Sequence, residues 1–238
     1  LDAYLVESGN VFSPASPNWD YLISKLEEKL SKLQAKEQSK ISVLRKTVSE
    51  NCKKAGLRDI GIYKLEVATG GGKTFASLRF ALEHAKHHKL DRIIYVIPYL
   101  SIISQSAKEI RTALNLDEDT VLEHHSDFLP DDEQYYKLHT NRWDATIILT
   151  TQVQFLESIF SAKGSELRKF HSMANSVLIF DEAQSIPIKC IHLFNSAMNF
   201  INKVCKSTIL LCTATQPPYE EALRRLNFSD NPSLTDYI

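Results

Sequence analysis

The sequence predicts an α/β fold in which a mostly parallel sheet is covered by helices on both faces, with a helical extension at the N-terminus. Short apolar runs alternate along the chain with stretches of helical periodicity, which is typical of parallel sheets buried on both faces. The apolar runs are GIYKLEV (61–67), RIIYVIP (92–98), TVLEHH (120–125), ATIILTT (145–151), SVLIFDE (176–182) and STILLCTAT (207–215). Ligands bind beyond the carboxyl ends of such strands, so residues at these ends are the candidate functional residues.

Composition indicates an ordinary globular protein and excludes several classes. The 238 residues are 43% hydrophobic and 24% charged, and the formal net charge is −1. This charge argues against a globally basic nucleic-acid binder but leaves room for local basic surfaces. No apolar run approaches the roughly 18 residues of a membrane span, so we expect no membrane contact. The four cysteines form no C-x-x-C pair, and we expect them to be reduced, as in the cytoplasm.

Two amphipathic helices are predicted ahead of the first strand. Apolar residues recur at helical spacing in two groups, at Leu22, Leu26, Leu30 and Leu33 and at Ile41, Leu44, Val48 and Cys52. Gly56 follows the second group and is a plausible helix end. Residues 25–58 contain ten Lys/Arg and four Glu. Their basic faces are either simply solvated or a surface for nucleic acid or a partner.

The stretch VATGGGKTF (67–75) lies between a predicted strand and a predicted helix, the context that a phosphate-binding loop requires. Consecutive glycines let the backbone aim N–H groups at anionic oxygens, and the helix N-terminus adds its positive dipole end. The candidate phosphate-binding residues are Thr69, Gly70, Gly71, Gly72, Lys73 and Thr74. Lys73 would reach the β- and γ-phosphates, and the Thr74 hydroxyl would bind Mg²⁺. Val67 departs from the usual motif, which has Gly or Ala there, and a glycine-rich turn without a ligand is the alternative.

A pair of acids ends another apolar run, SVLIFDEAQ (176–184). Asp181 can hold Mg²⁺, and Glu182 can accept a proton from an attacking water, which is typically worth ~10²–10⁴-fold in rate. We therefore take Lys73, Asp181 and Glu182 as the candidate catalytic residues. The alternative is a helix N-terminus that favours acids through its dipole.

Two further strand ends carry candidate nucleic-acid contacts. These are Pro98, Ser101, Thr150, Thr151 and Gln152. Hydroxyls and helix N-termini at a sheet edge suit phosphate oxygens, although Ser and Thr are also favoured helix caps and both roles can coexist. His124 and His125 are adjacent on a predicted strand and would point to opposite faces, so we expect no shared metal ion.

The motifs VATGGGKT, DEAQ and TAT, in this order, resemble the first RecA-like domain of superfamily 2 helicases. DEAQ is similar to the box that gives the DEAD and DEAH groups their names. The longer stretches DRIIYVIPYLSIISQSA, VLEHHS, TTQVQFLESIF, NSVLIFDEAQSIP and LLCTATQP look like the CRISPR-associated helicase–nuclease of type I systems. The resemblance runs from about residue 40 to residue 220.

The resemblance implies an ATP-dependent motor that moves 3′ to 5′ along single-stranded DNA in a prokaryotic cytoplasm, after a guide-RNA surveillance complex has opened the target. It assigns the phosphates to Lys73, Mg²⁺ to Thr74 and Asp181, and the attacking water to Glu182. By the same resemblance Gln184 would sense the γ-phosphate, and Thr213 and Thr215 would couple hydrolysis to strand movement. Adenine recognition stays unassigned, because no spacing selects among Arg45, Asn51 and their neighbours.

The resemblance divides the chain into a linker and helical extension (1–40), a first RecA-like ATPase domain (41–230) and the start of a connection to a second RecA-like domain (231–238). An HD nuclease domain precedes the helicase domains in that family, but no His-Asp dipeptide occurs among the eight histidines here. We expect neither that nuclease nor the second domain within these residues. An arginine finger from the second domain contributes ~10³–10⁵ in related enzymes, so we expect the isolated chain to bind nucleotide weakly and hardly hydrolyse it.

Two other functions fit the same motifs. The chain could come from an RNA helicase or a restriction-type DNA translocase with the same core, or it could be a P-loop module that binds nucleotide without hydrolysing it. A preference for DNA or RNA distinguishes the CRISPR assignment from the first alternative. The effect of Glu182 on nucleotide turnover distinguishes it from the second, the module that does not hydrolyse nucleotide.

Overall fold

The computed structural model describes residues 17–36, 39–68, 70–116, 120–124, 143–161, 169–214, 219, 222 and 224–235. The helices are α1 (Trp19–Lys36), α2 (Lys40–Ala55), α3 (Lys73–His88), α4 (Leu100–Leu114), α5 (Gln152–Phe160) and α6 (Ile191–Lys203). The strands are β1 (Ile62–Glu66), β2 (Arg92–Ile97), β3 (Val121–His124), β4 (Ile147–Thr151), β5 (Ser176–Phe180) and β6 (Thr208–Thr213). Each strand falls inside one of the apolar runs, so the six strands predicted from the sequence are confirmed.

The strands form one sheet in the order β1-β6-β5-β2-β4-β3, and every neighbouring pair is parallel. Non-consecutive neighbours require crossover connections, which the helices supply. This is the RecA-like α/β arrangement that the sequence predicts. Because the strands are parallel, their carboxyl ends share one edge of the sheet.

Helices cover both faces of the sheet, and successive residues of each central strand enter different cores. On β2, Ile93, Tyr95 and Ile97 belong to the core with α1 to α4, whereas Ile94 and Val96 belong to the core with α5 and α6. All five side chains are at most 1% exposed. Burial on both faces explains why the strands read as continuous apolar runs rather than as an alternating pattern.

The predicted N-terminal helices pack into the first of these cores. Leu22, Leu26 and Leu30 of α1 are buried there, and the indole Nε1 of Trp19 donates to the carbonyl of Leu90 at 3.0 Å. Among the described residues, no helix is both long enough and apolar enough to cross a membrane.

Helix α2 ends next to Gly56, as predicted, but not through a left-handed glycine. Gly56 has a φ of −57°, which any residue adopts. A Cβ on Gly56 would lie 2.6 Å from the Cβ of Glu83 on α3, and real atoms do not approach that closely. Glycine is therefore needed here for the close packing of α2 against α3.

A buried histidine joins the same helix pair to the sheet. The His84 ring contacts the Gly56 carbonyl through Nδ1 at 3.0 Å and the Thr208 hydroxyl through Nε2 at 2.7 Å. The carbonyl can only accept, so Nδ1 carries the proton and Nε2 accepts from Thr208. Burial, with a smaller contribution from His88, lowers the pKa of His84 to about 3.

We expect His84 to make the domain less stable as the pH falls. The unfolded chain takes up this proton near pH 6.5, whereas the folded chain resists it down to about pH 3. The stabilisation is therefore complete above pH 6.5 and is lost by up to about 1.4 kcal/mol per pH unit below it. Urea unfolding at pH 7.5, 6.5 and 5.5 measures the effect.

His84→Phe should flatten this pH dependence, and His87→Gln, at an exposed neighbour, should retain it. An equal slope in His84→Phe and the unmodified chain would contradict the assignment.

Candidate functional site

The phosphate-loop candidates connect β1 to α3. Gly70 and Gly72 have φ angles of +80° and +84°, in the left-handed region where glycine is strongly favoured. Gly71 is constrained differently, because a Cβ on it would lie 2.3 Å from Cγ1 of Val67 and 2.9 Å from the Ala68 carbonyl. The buried Val67 side chain, the departure from the usual motif, thus fills the space that a side chain at Gly71 would need.

Thr69, also predicted for this loop, lies outside the described residues.

Arg45 of α2 lies across the loop, a position that no spacing in the sequence indicates. Its Nε donates to the Gly70 carbonyl at 2.9 Å. Its side-chain stem covers Gly72, since a Cβ there would lie 3.2 Å from Cγ of Arg45. The loop is therefore held by a residue 25 positions earlier in the chain.

The acid pair follows β5 directly. The Asp181 N–H donates to the Val96 carbonyl of β2 at 2.9 Å, which continues the sheet ladder by one residue. Glu182 then adopts a left-handed conformation with a φ of 46°, and its N–H donates to Oδ1 of Asp181 at 3.1 Å. This turn directs the chain away from the sheet and places both carboxyl groups at its edge.

The sheet order brings the loop and the acids together. Strand β6 lies between β1 and β5, so the two motifs are separated by the width of a single strand end. The Lys73 Nζ lies 2.5 Å from Oε1 of Glu182, and the two side chains are 10% and 30% exposed. The lysine of the phosphate loop and one of the two acids are thus in direct contact.

The two acids have opposite pKa shifts. Burial raises the pKa of Asp181, and the charge of Glu182 adds to the rise, while Lys73 acts against it. Burial alone would also raise the pKa of Glu182, but hydrogen bonds from Lys73 and Gln184 outweigh burial and lower it. Glu182 is therefore a carboxylate held by donors, and Asp181 is a buried carboxyl group whose charge would be stabilised by a nearby cation.

A chain of side chains extends from this contact to the end of β6. The Gln184 Nε2 donates to Oε2 of Glu182, and the Gln184 Oε1 accepts from the Thr213 hydroxyl at 2.6 Å. The structure thus brings together three predicted residues, Glu182, Gln184 and Thr213. Thr215, predicted to act with them, lies outside the described residues.

Loop and acids line one cavity of about 590 Å³, together with α1, α2 and α4. Gly70, Gly72, Lys73 and Thr74 of the loop and helix start line it, as do Asp181 and Glu182. Its remaining wall includes apolar side chains and Arg45. This combination fits a nucleotide, because left-handed glycines beside a helix N-terminus suit phosphates and hydroxyl and carboxylate oxygens are the ligands that Mg²⁺ prefers.

The sequence profile of the DEAD/DEAH box helicases matches residues 26–223, most of the chain. The chain belongs to this family. Its helicase domain is also similar to the CRISPR-associated nuclease/helicase Cas3 of Haloferax volcanii, with 27% identity over 180 residues, which are 66% of this chain and 19% of that protein. The predicted resemblance to the CRISPR-associated helicase–nuclease is thereby confirmed.

Solved helicase structures share the fold of this helicase domain. The crystal structure of T. fusca Cas3 with AMPPNP superposes with a TM-score of 0.59 at 18% identity, over 70% of this chain and 21% of that one. The DEAD-box helicase Mss116 bound to ssRNA and UDP-BeF gives a TM-score of 0.55 at 14% identity, over 90% of this chain and 41% of that one. The chain spans about a fifth of the length of the Cas3 relatives.

The strand-end candidates of the helicase domain differ in accessibility. Ser101 is exposed in the first turn of α4, and Pro98 is half-buried just ahead of it. Thr151 is only 9% exposed, and its hydroxyl accepts from the Gln154 N–H at 3.1 Å as the N-cap of α5. Thr151 therefore acts as a helix cap, the alternative to a nucleic-acid contact that was considered from the sequence.

Thr150 and Gln152 point inward. Thr150 is fully buried, and its hydroxyl donates to the His124 carbonyl at 3.1 Å. Gln152 is 8% exposed, and its Nε2 donates to the Ser185 hydroxyl at 2.7 Å. A contact with nucleic acid through either side chain would have to break these hydrogen bonds.

His124 is occupied by protein partners. Its Nδ1 accepts from the Trp143 indole at 3.2 Å, and its ring stacks edge-on against that side chain. Within the part of the chain that the structure describes, no group of His, Cys, Asp and Glu could hold a metal ion on its own. His125 lies outside that part.

We expect the Asp181 pKa to respond in opposite directions to its two charged neighbours. Lys73→Met removes a positive charge and should raise it, whereas Glu182→Gln removes a negative charge and should lower it. Carbon-13 NMR titration of the Asp181 carboxyl group measures both shifts. Glu83→Gln, outside the cavity, is the control and should leave the value unchanged. Shifts of the same sign in Lys73→Met and Glu182→Gln would contradict the site geometry.

Proposed function

We propose that this chain is the ATP-binding motor half of a single-stranded DNA translocase in CRISPR antiviral interference. It would work with a second RecA-like domain, an HD nuclease domain and a guide-RNA surveillance complex. The observation that carries the proposal is the single cavity shared by Lys73, Thr74, Asp181 and Glu182. The related T. fusca Cas3 has been crystallised with AMPPNP, ADP and ATP, which supports the same ligand class here.

In this proposal the triphosphate competes with Glu182 for Lys73. Lys73 would move from the carboxylate to the β- and γ-phosphates, where the loop N–H groups and the N-terminus of α3 add positive charge. Thr74 and Asp181 would supply oxygen ligands to Mg²⁺, which when bound neutralises charge on the phosphates. Asp181 fits this role because its charge is otherwise desolvated.

The same exchange would prepare Glu182 as a base. Its pKa is held down by the hydrogen bond from Lys73, so loss of that bond raises its affinity for a proton. A carboxylate with a higher pKa is a better acceptor for the proton of an attacking water. Gln184, which contacts both Glu182 and Thr213, would pass the change on to the end of β6.

Catalysis would be completed by groups from the second RecA-like domain. An arginine finger contributes ~10³–10⁵ to turnover in related phosphoryl-transfer enzymes. We therefore propose that the isolated helicase domain binds nucleotide but turns it over slowly.

Nucleotide binding should stabilise the isolated chain in a thermal-shift titration with ATP and Mg²⁺. Ligand at 100 times its Kd adds roughly 2.7 kcal/mol to the free energy of unfolding. Lys73→Ala should reduce the shift strongly, because it removes the cation that would contact the phosphates. Lys108→Ala, at an exposed lysine of α4, should behave as the unmodified chain does. No shift at millimolar nucleotide, or equal shifts in both variants, would count against the proposal.

Turnover by the full-length protein should depend on single-stranded DNA rather than RNA. A coupled ATPase assay with matched DNA and RNA oligonucleotides measures this preference, and duplex DNA tests the restriction-type alternative. Glu182→Gln should lower DNA-dependent turnover by ~10²–10⁴-fold, since it removes the proposed base. Stimulation by RNA alone would favour the RNA helicase alternative. Unchanged turnover in Glu182→Gln would remove Glu182 from the mechanism.

A further inference from the structure

Gln152 links two parts of the sheet edge that are not neighbours. It is the first residue of α5, immediately after β4, and its Nε2 donates to the hydroxyl of Ser185. Ser185 belongs to the turn that follows β5, and β2 lies between β4 and β5 in the sheet. The link is therefore made by side chains reaching across the end of β2, independently of the strand ladder.

Ser185 is part of the turn that positions Glu182. The Ser185 N–H donates to the Glu182 carbonyl at 2.8 Å, which closes the turn. Gln184, the residue before Ser185, contacts Glu182 and Thr213 through its side chain. The turn 182–185 is thus held from the nucleotide side by Gln184 and from the α5 side by Gln152, and a shift at either end changes the backbone that carries Glu182.

The N-terminus of α5 is a suitable place for such a signal to start. Thr151 caps this helix at the carboxyl edge of the sheet, and Val153, one residue beyond Gln152, is 63% exposed. Gln152 itself is nearly buried and bonded to Ser185. Gln152 is therefore placed to respond to a nucleic acid bound at this edge without contacting it.

We propose that Gln152 is a positioning residue that transmits nucleic-acid binding at the start of α5 to Glu182 through Ser185. This role replaces the direct nucleic-acid contact expected from the sequence, and it rests on the proposed motor function. Binding of a nucleic acid would shift α5 and Gln152 with it. The hydrogen bond from Gln152 to Ser185 would then set the position of the turn 182–185, and thus of Glu182, the proposed base.

The test uses the full-length protein and three measurements: turnover without DNA, turnover at saturating single-stranded oligo-dT, and the Kd for that oligonucleotide. The ratio of the two turnovers reports the transmission. Gln152→Ala and Ser185→Ala should each lower this ratio about tenfold and leave the Kd within about twofold, because the lost bond is not to DNA. Ser185→Thr keeps the hydroxyl group and should therefore show the same turnover ratio as the unmodified protein.

Gln154→Ala is the matched control. Gln154 is in the same turn of α5 but donates to Glu157 within that helix, so its loss should leave the ratio unchanged. The double variant Gln152→Ala/Ser185→Ala should resemble the single variants, since both remove one bond.

Two results would overturn the inference while leaving the motor function intact. If Gln152→Ala weakened binding of the oligonucleotide but kept the turnover ratio of the unmodified protein at saturation, Gln152 would be a direct contact to DNA. A Gln152→Ala variant that matches Gln154→Ala would give it no role. An unmodified protein whose turnover does not respond to DNA would overturn both the inference and the proposed function.

Discussion

The contact between Lys73 and Glu182 depends on the order of the strands. Lys73, at the glycine loop after β1, and Glu182, in the acid turn after β5, lie 109 residues apart in sequence. They come within reach because β6 alone lies between those two strands. Parallel pairing then places both carboxyl ends on one edge. Neither motif alone makes a site, because the ammonium group and the carboxylates belong to different crossover units.

The electrostatics of the site follow from its partial burial. Desolvation acts on both acids, yet only Asp181 keeps a raised pKa, because Glu182 takes the hydrogen bonds of Lys73 and Gln184. The positive charge of Lys73 is thus shared unequally between two adjacent carboxyl groups. A ligand that draws Lys73 away would leave both carboxyl groups without its positive charge. An anionic ligand is therefore favoured to bind together with a further cation.

The features that could be predicted from the sequence are local ones, and those that could not be predicted depend on partners distant in the chain. The six strands and the glycine loop follow from short stretches whose physics is contained in them, namely apolar burial and backbone freedom. The inward direction of Thr150 was not predictable, because its partner is the His124 carbonyl on a neighbouring strand. Arg45 was missed for the same reason, since nothing near it in sequence shows that Gly70 and Gly72 lie beneath it.

Some of the basic residues of the N-terminal helices have a structural role that differs from both alternatives, a solvated face or a binding surface. Lys53 of α2 bonds to Glu27 of α1 at 2.9 Å, and Arg79 of the phosphate-loop helix forms two hydrogen bonds to the same carboxylate. Burial alone would raise the pKa of Glu27, but these donors lower it. Arg45, from the same basic stretch, holds the loop itself. Part of the positive charge is thus paired within the domain and ties α1 and α2 to α3. The helices that precede β1 therefore help to fix the position of the helix that Lys73 begins.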